Sequence, residues 1–558
     1  MKFIRKISIV VALVFIISAV LGGIVPVSSQ KVEGASKKIV TFTMFSADAT
    51  VQYHPDIFST AIGQEITKKT GVRLKIEHFV GMDQATKISL MLASGDLPDL
   101  VYGSGEHKQF IQNKALVPLD NYIAKYGQWT KKAYSSADLK KLRQADGHIY
   151  FLSYTRGEVS PSASGEGLYV MIDMLQKNNW PRLKYWEDLV PMIRNYVKKY
   201  PKYKGMPVIG MSAITEGARF YVIQDPATGL NGLVADTVQV DPKTYKASYD
   251  PAGIGMYKAY KALNALWNEG LFDKEAFVQT YDQWAAKVAQ GRVVTSWGRS
   301  WHFNTAFNTL RKNNEDDRIL VPFGIVFKGV KKSRYVMLQS IGTRDGVSIT
   351  KKCKDPVRAF QFLDQMLNPE VQKLMFWGIK GRDYLVDKKG KMYRTQAMID
   401  KARDPVYQKQ EGLGYWNIWP RWQLKLPDGN YVKPELDPDI AYMQWAPAQK
   451  KVLDAYKAKT FVEPPFADEP ESPPWGYAWE INIPPEKQKE IQVPLNIAND
   501  LARKYIPMLI MAPKGKYDEV WNKYKAEVRA KINTKPIEEF YTQEMRQRMA
   551  DWYGIKVK

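Results

Sequence analysis

Apolar residues recur along this chain in two alternating rhythms, one of period two and one close to 3.6. Ile39–Phe45 is rich in β-formers and predicts a strand. Pro55 then opens a helical stretch in which Phe58, Ala61, Ile62 and Ile66 share one face, and Gly71 stands at its stop. Val72–Glu77 alternates strictly, with Val72, Leu74 and Ile76 on one side and Arg73, Lys75 and Glu77 on the other. A second helix follows through Ala85, Ile88 and Leu92 and stops near Gly95, and Leu97–Tyr102 predicts a third, short strand. Strand–helix–strand–helix–strand at this spacing predicts a parallel α/β sheet.

The same style returns further on. Met256, Tyr260, Leu263 and Trp267 form a helical stripe that ends at Gly270. Trp284, Ala285 and Val288 belong to another helix, stopped at Gly291, and Arg292–Trp297 predicts a strand. Asp355–Pro356 and Asn368–Pro369 each read as an N-cap followed by proline at the first helical position. The first of these helices carries Phe360, Leu363 and Leu367 on one face. Phe461–Pro485 is rich in proline and acid and reads as an irregular surface excursion, whereas the last ~50 residues read as amphipathic helix with Trp521 and Tyr524 among charges.

A chain of 558 residues exceeds what one hydrophobic core supports, so at least two lobes are expected. Lys2, Arg5 and Lys6 precede an apolar run, Ile7–Val25, which Pro26 ends and small residues follow. That is the layout of an export signal, with cleavage after Ser29 or Ala35. An uncleaved anchor is the alternative, because the run approaches the ~20 residues that span a bilayer. Cys353 is the single cysteine, which excludes an internal disulfide and a cysteine zinc site. Histidines 54, 78, 107, 148 and 302 show no ligand spacing, and no metal or cofactor is expected. The net charge is +23, or +20 without residues 1–35, and it is spread along the chain rather than concentrated in a block. Nucleic-acid binding is therefore not expected; a field of that sign suits anionic wall polymer, lipid or an acidic ligand.

In open α/β sheets ligands bind beyond the carboxyl ends of the strands. That rule selects Phe45, Ser46 and Asp48 after the first strand, Gly103, Ser104 and Glu106 after the third, and Trp297, Arg299 and Trp301 after the strand at 292. Aromatic faces beside acids and arginine suit a sugar, whose C–H face is apolar and whose hydroxyls take charge-assisted hydrogen bonds. The competing reading places Trp297 and Trp301 in the core, and Asp48 and Glu106 on solvated loops. Trp416, Trp419 and Trp422, at a spacing of three, are expected to pack between lobes, with a groove lining as the second reading. There is no P-loop, GxSxG elbow, HExxH or cysteine–histidine pair, and no catalytic residue is assigned.

Several segments resemble extracellular solute-binding proteins. Ser94–Gly103, SGDLPDLVYG, is similar to the segment that ends their second helix and forms their third strand. Ala115–Gly127, ALVPLDNYIAKYG, is similar to the stretch that follows it, and Gln290–Trp301, QGRVVTSWGRSW, to the strand whose end meets the ligand. Phe376–Tyr384, FWGIKGRDY, resembles a signature of the lipoprotein-like sugar-binding subgroup of Gram-positive soil bacteria, and Tyr517–Glu527 and Trp552–Gly554 resemble its ending. The resemblance implies an α/β, two-lobe periplasmic-binding-protein-like (type II) fold with a hinge. Residues 36–155 and 338–400 would form lobe one, and 156–337 and 401–558 lobe two with the C-terminal helices. It implies a secreted or surface-associated monomer that hands an oligosaccharide to the membrane permease subunits of an ABC importer and makes or breaks no bond. By position it carries ligand contact to Asp48, the Gly103–Glu106 turn, Trp297, Trp301 and Tyr384.

Two departures stand out. That subgroup carries a lipidated cysteine at the end of its signal, whereas Val20–Leu21–Gly22 is followed here by Gly23, so anchoring through cysteine is excluded. Lys380 and Arg382 make the signature more basic and favour an acidic sugar. Two other function classes remain as alternatives: an exported glycan-degrading enzyme, such as a pectin lyase or glycosidase, and an adhesin that holds wall polymer through charge.

Overall fold

The computed structural model describes residues 39–47, 54–78, 84–104, 106–154, 157, 166–234, 236–334, 341–468 and 473–555. The segment read as an export signal, 1–35, and Asp48 lie outside the described residues. Along the chain the strands of the two main sheets are β1 (Val40–Ser46), β2 (Val72–His78), β3 (Leu100–Tyr102), β4 (Phe151–Leu152), β5 (Glu166–Met171), β6 (Ile209–Ser212), β7 (Val293–Arg299), β8 (Leu320–Phe323) and β9 (Val347–Ile349). The first sheet runs in the order β2-β1-β3-β9-β4, the second in the order β8-β5-β7-β6. β1 is parallel to both β2 and β3, and β9 is antiparallel to β3 and β4. In the second sheet β7 is parallel to β6, and β5 is antiparallel to β7 and β8.

Local chemistry explains the first β–α–β unit. Thr60 caps helix Ala61–Thr70 by accepting the backbone N–H of Gly63, and Gly71 closes it in the left-handed region at φ 67°. Gly63 has to be glycine: a β-carbon there would stand 2.1 Å from the carbonyl oxygen of Ile57. The alternation of β2 puts Val72 and Leu74 in the core and leaves Lys75 and Glu77 outside or at the edge. Helix Gln84–Ser94 then returns the chain to β3. Asp355 and Asn368 cap helices Pro356–Met366 and Pro369–Phe376 as their sequences predict, accepting from Arg358 and Glu370. The stripe through Tyr260 and Leu263 lies on helix Ile254–Asn268, with both residues fully buried.

The buried side chains form two cores that alternate along the chain. The first gathers residues from Phe42 to Leu152 and from Ile341 to Ile440. The second gathers residues from Leu168 to Ile325 and from Trp445 to Met549. The result is a two-lobe α/β fold with one sheet in each core.

Two expectations are corrected. Trp416 and Trp419 do not pack between lobes: their rings lie edge-on to Phe58, at 5.4 Å, and Phe362, at 5.6 Å, inside the first core. The Phe461–Pro485 tract is irregular but is not a surface excursion. Phe461, Phe466, Trp475 and Tyr477 along it are buried, the first three in the second core, and proline merely keeps the backbone from closing a helix there.

Candidate ligand-binding site

The carboxyl end of β7 carries the densest polar chemistry. Arg299 is its last residue and directly precedes helix Ser300–Lys312. Gly298 just before it admits no side chain, because a β-carbon would meet the Phe303 ring at 2.6 Å. Arg299 Nη1 donates to Asp225 Oδ2 at 2.9 Å, and its guanidinium lies 4.7 Å from the Tyr221 ring and 6.0 Å from the Trp301 ring. Tyr221 and Asp225 are one turn apart on helix Tyr221–Gly229, so a single helix face supplies both partners. Trp301 is 53% exposed, and its indole projects from the first turn of the following helix.

A buried neutral histidine lies beneath this wall. His302 Nδ1 accepts the backbone N–H of Arg299 at 3.1 Å, which leaves the proton on Nε2, 3.1 Å from the Tyr221 hydroxyl. Burial, then the charges of Arg299 and Arg219, push the imidazole down to about 4. The Tyr281 hydroxyl donates to the His302 carbonyl at 2.7 Å, and the Arg219 guanidinium lies 4.2 Å over the Tyr281 ring. The edge therefore presents arginine and aromatic faces held by fixed hydrogen bonds. It offers donors and flat apolar surface.

The carboxyl ends of β1 and β3 form the corresponding edge of the first sheet. Ser46 pairs in register with Tyr102, and the Ala47 N–H donates to the Tyr102 carbonyl. The chain then turns sharply: Ser104 sits at φ 44°, and a β-carbon on Gly103 would stand 2.9 Å from the backbone of His107. Glu106 accepts from Gln109 Nε2 at 2.9 Å. The Ser348 hydroxyl donates to the Tyr150 carbonyl and accepts from His107 Nε2 at 2.5 Å. Burial pushes His107 down to about 3, so it too is neutral.

Of the residues singled out from sequence, Arg299 and Trp301 come together at one edge, and Ser104 and Glu106 share one turn. Phe45 and Tyr384 are buried in the first core, and Trp297 in the second. Tyr384 lies edge-on to Trp377 at 5.7 Å. In the turn before it, Asp383 Oδ2 accepts from the Ile379 N–H and from Arg382, and Arg382 also pairs with Glu411. Two carboxylates thus compensate the Arg382 charge, while Lys380 is exposed. Sequence reasoning missed Tyr221, Asp225, His302, Tyr281 and Arg219. The i, i+4 spacing of Tyr221 and Asp225 was visible, but nothing local ties that helix to a strand 74 residues away.

An open groove of about 1000 Å³ runs between the start of helix Ile254–Asn268 and helix Tyr517–Lys531, lined by Ile254, Tyr257, Trp521, Lys525 and Arg529 among others. It shares no lining residue with either set of strand ends. Among the described residues no cluster of His, Cys, Asp and Glu could hold a metal ion, and no helix is long and apolar enough to cross a membrane. Cys353 is buried, which pushes its thiol up to about 11.

A family model described as bacterial extracellular solute-binding protein matches residues 61–381. A fructooligosaccharide ABC transporter substrate-binding protein of Streptococcus pneumoniae, FusA, is 25% identical over 336 residues. That match covers 57% of this chain and 60% of the relative's length. Lipoprotein LipO of Bacillus subtilis is 21% identical over 371 residues, covering 63% of this chain and 68% of that protein. Among solved structures, FusA in complex with kestose superposes with a TM-score of 0.63 at 19% identity, over 92% of this chain and 100% of that one. An HMO-binding, ABC-transporter-associated solute-binding protein of Bifidobacterium longum infantis superposes with a TM-score of 0.65 at 15% identity, over 92% of this chain and 99% of that one.

Proposed function

This chain belongs to the bacterial extracellular solute-binding proteins, and we propose that it captures an oligosaccharide between its two lobes and delivers it to the permease subunits of an ABC importer. The lobes follow the two cores, and ligand bridging them drives closure. No bond is made or broken. The aromatic faces of Trp301 and Tyr221 take the C–H faces of sugar rings, and Arg299, Ser104 and Glu106 read hydroxyls. Phe45, Trp297 and Tyr384 support these edges from within the cores, and Asp48 adds an acid at the end of β1. The protein is exported by residues 1–35 and acts as a monomer. The observation that supports this reading best is the half-exposed Trp301 beside Arg299 at a strand end, in a chain of this family.

A thermal-shift screen of the exported chain against kestose, nystose, cello- and manno-oligosaccharides and oligogalacturonates tests it. A bound sugar at 100 times its dissociation constant adds about 2.7 kcal/mol of stability. Trp301→Ala should weaken the response about tenfold in affinity, equivalent to ~1.4 kcal/mol, with the unliganded unfolding temperature unchanged. No shift with any oligosaccharide, together with product released from polygalacturonate, would replace this reading with a glycan-degrading enzyme.

A further inference from the structure

The boundary between the two cores holds a second group of polar side chains that the strand-end site does not use. A strap around Trp475–Glu480 is held to the second core with unusual firmness. The carboxylate of Asp236 accepts the backbone N–H groups of Ala478, at 2.8 Å, and Trp479, at 3.2 Å. Arg548 Nη1 donates to the carbonyls of Trp475 and Tyr477. Gly476, at φ 74°, lets the strap close on that guanidinium, which a β-carbon would approach to 3.0 Å. The buried Tyr477 ring stacks on Trp479 at 5.5 Å and 16°, and so fixes the indole plane. Yet Trp479 remains 45% exposed. A large apolar ring braced this rigidly and left half open is a platform rather than a core residue.

Three polar side chains stand on it or beside it in the chain. Arg344, which stands between Ile341 and Val347 of the first core, places its guanidinium 5.9 Å from the Trp479 ring. Among the described residues that half-buried guanidinium makes no hydrogen bond or ion pair. Thr343 beside it is 8% exposed, and among the described residues its Oγ1 has no hydrogen-bond partner. Across the boundary Glu480 is 7% exposed, its Oε2 has no hydrogen-bond partner among the described residues, and beyond burial the charge of Arg548 and, more weakly, that of Arg344 act on its carboxyl. Buried polar groups are nearly always paired, so two buried orphans and a guanidinium without a hydrogen bond beside one exposed indole are groups that a polar ligand with an apolar face would satisfy.

We propose that Thr343 and Arg344 of the first lobe and Trp479 and Glu480 of the second form a shared subsite for an uncharged sugar ring with adjacent hydroxyls. The proposal rests on the oligosaccharide-capture reading and adds the class of ring taken here. The indole receives the C–H face. Glu480 Oε2 accepts from one hydroxyl, and Arg344 and Thr343 Oγ1 donate to its neighbours. Above pH 7, where Glu480 is ionised, its charge opposes that of Arg344, so a uronate gains nothing there from Arg344 that Glu480 does not oppose. Because the four side chains come from both lobes, the subsite is complete only when the lobes are together, and filling it favours the closed form.

Isothermal titration of the exported chain with kestose, nystose, cellotetraose, mannotetraose and trigalacturonate tests this. For the neutral oligosaccharide bound tightest, Trp479→Ala, Arg344→Ala and Glu480→Gln should each weaken binding at least tenfold. Trp479→Phe should stay within threefold, and the unfolding temperature of the Trp479 and Arg344 variants should match the parent. If Trp301→Ala weakens binding tenfold or more while these three variants stay within twofold of the parent, the subsite is overturned and the capture reading stands. If trigalacturonate binds tightest and Glu480→Gln tightens it, the assignment to an uncharged ring is overturned. If the parent chain binds none of the five, both fall.

Discussion

Arg299 and Asp225 meet at 2.9 Å across 74 residues of sequence, with side chains only 13% and 9% exposed. The contact joins the last residue of β7 to helix Tyr221–Gly229, and so sets where the Arg299–Tyr221–Trp301 wall stands. Removing one member of a buried pair leaves an uncompensated charge. Asp225→Ala should therefore lower stability by about 3–5 kcal/mol in urea unfolding, whereas replacing both residues with apolar side chains of similar volume should recover most of the loss. A single-variant loss below about 1 kcal/mol would mean that the pair is hydrated and does not hold the wall.

Gly103 should not tolerate alanine. The added β-carbon would stand 2.9 Å from the backbone nitrogen and Cα of His107, and neither can move without opening the turn that begins helix His107–Gln112. Overpacking of this kind is expected to destabilise by about 1–3 kcal/mol. Gly95→Ala is the control for backbone strain alone, since Gly95 has φ 69° but nothing within 4 Å of a β-carbon. Gly103 itself lies outside the left-handed region, so a loss at Gly103 no larger than about 0.5 kcal/mol would show that the turn yields to the added β-carbon.

The Trp416–Trp422 series separates core from periphery. Trp416 is fully buried, lies edge-on to Phe58 and donates its indole N–H to the Gly412 carbonyl at 2.8 Å. Trp416→Ala should cost about 3–5 kcal/mol. Trp422 is only half-buried and donates to the Leu367 carbonyl; its alanine variant should lose clearly less. Calorimetric unfolding of both variants checks the order, and the reverse order would place Trp422 at the centre of that core.

Glu480 gives a pH signature. Burial is the main cause that pushes its carboxyl from 4.5 up to about 7, against the lowering charges of Arg548 and Arg344 and with Asp236 adding to the rise. The folded chain therefore binds more protons than the unfolded chain between pH 4.5 and 7. The associated stability is fully present below pH 4.5 and is lost as pH rises through 7. Glu480→Gln abolishes that dependence. Relative to the parent, the variant should gain about 3 kcal/mol between pH 4.5 and pH 8, read from urea unfolding at the two pH values. A constant difference across that range would mean that the carboxyl is hydrated in the folded state.

Much of the fold was legible because it is encoded at short range. The strict alternation of Val72–Glu77, the Asp355–Pro356 and Asn368–Pro369 starts and the Gly71 stop each act within a few residues, and each appears where its pattern places it. The strand-end rule also reached Arg299 and Trp301, since it needs only the end of one strand. Where hydrophobic runs lack a period, reading was weaker. The Phe461–Pro485 tract looked like surface because proline and acid dominate it, yet its aromatics are buried.

By itself, then, the sequence determined the alternation of strands and helices, the need for more than one lobe and the position of Arg299 and Trp301 at the end of β7. Periodicity, caps and chain length are local or additive quantities. Only the tertiary structure decided that Tyr221, Asp225 and His302 surround Arg299, that Trp416 and Trp419 belong to the first core, and that Arg344 faces Trp479 from the other lobe. Those pairings join residues tens to hundreds of positions apart. Their physical cause is the burial of two whole cores, which no window of the chain contains.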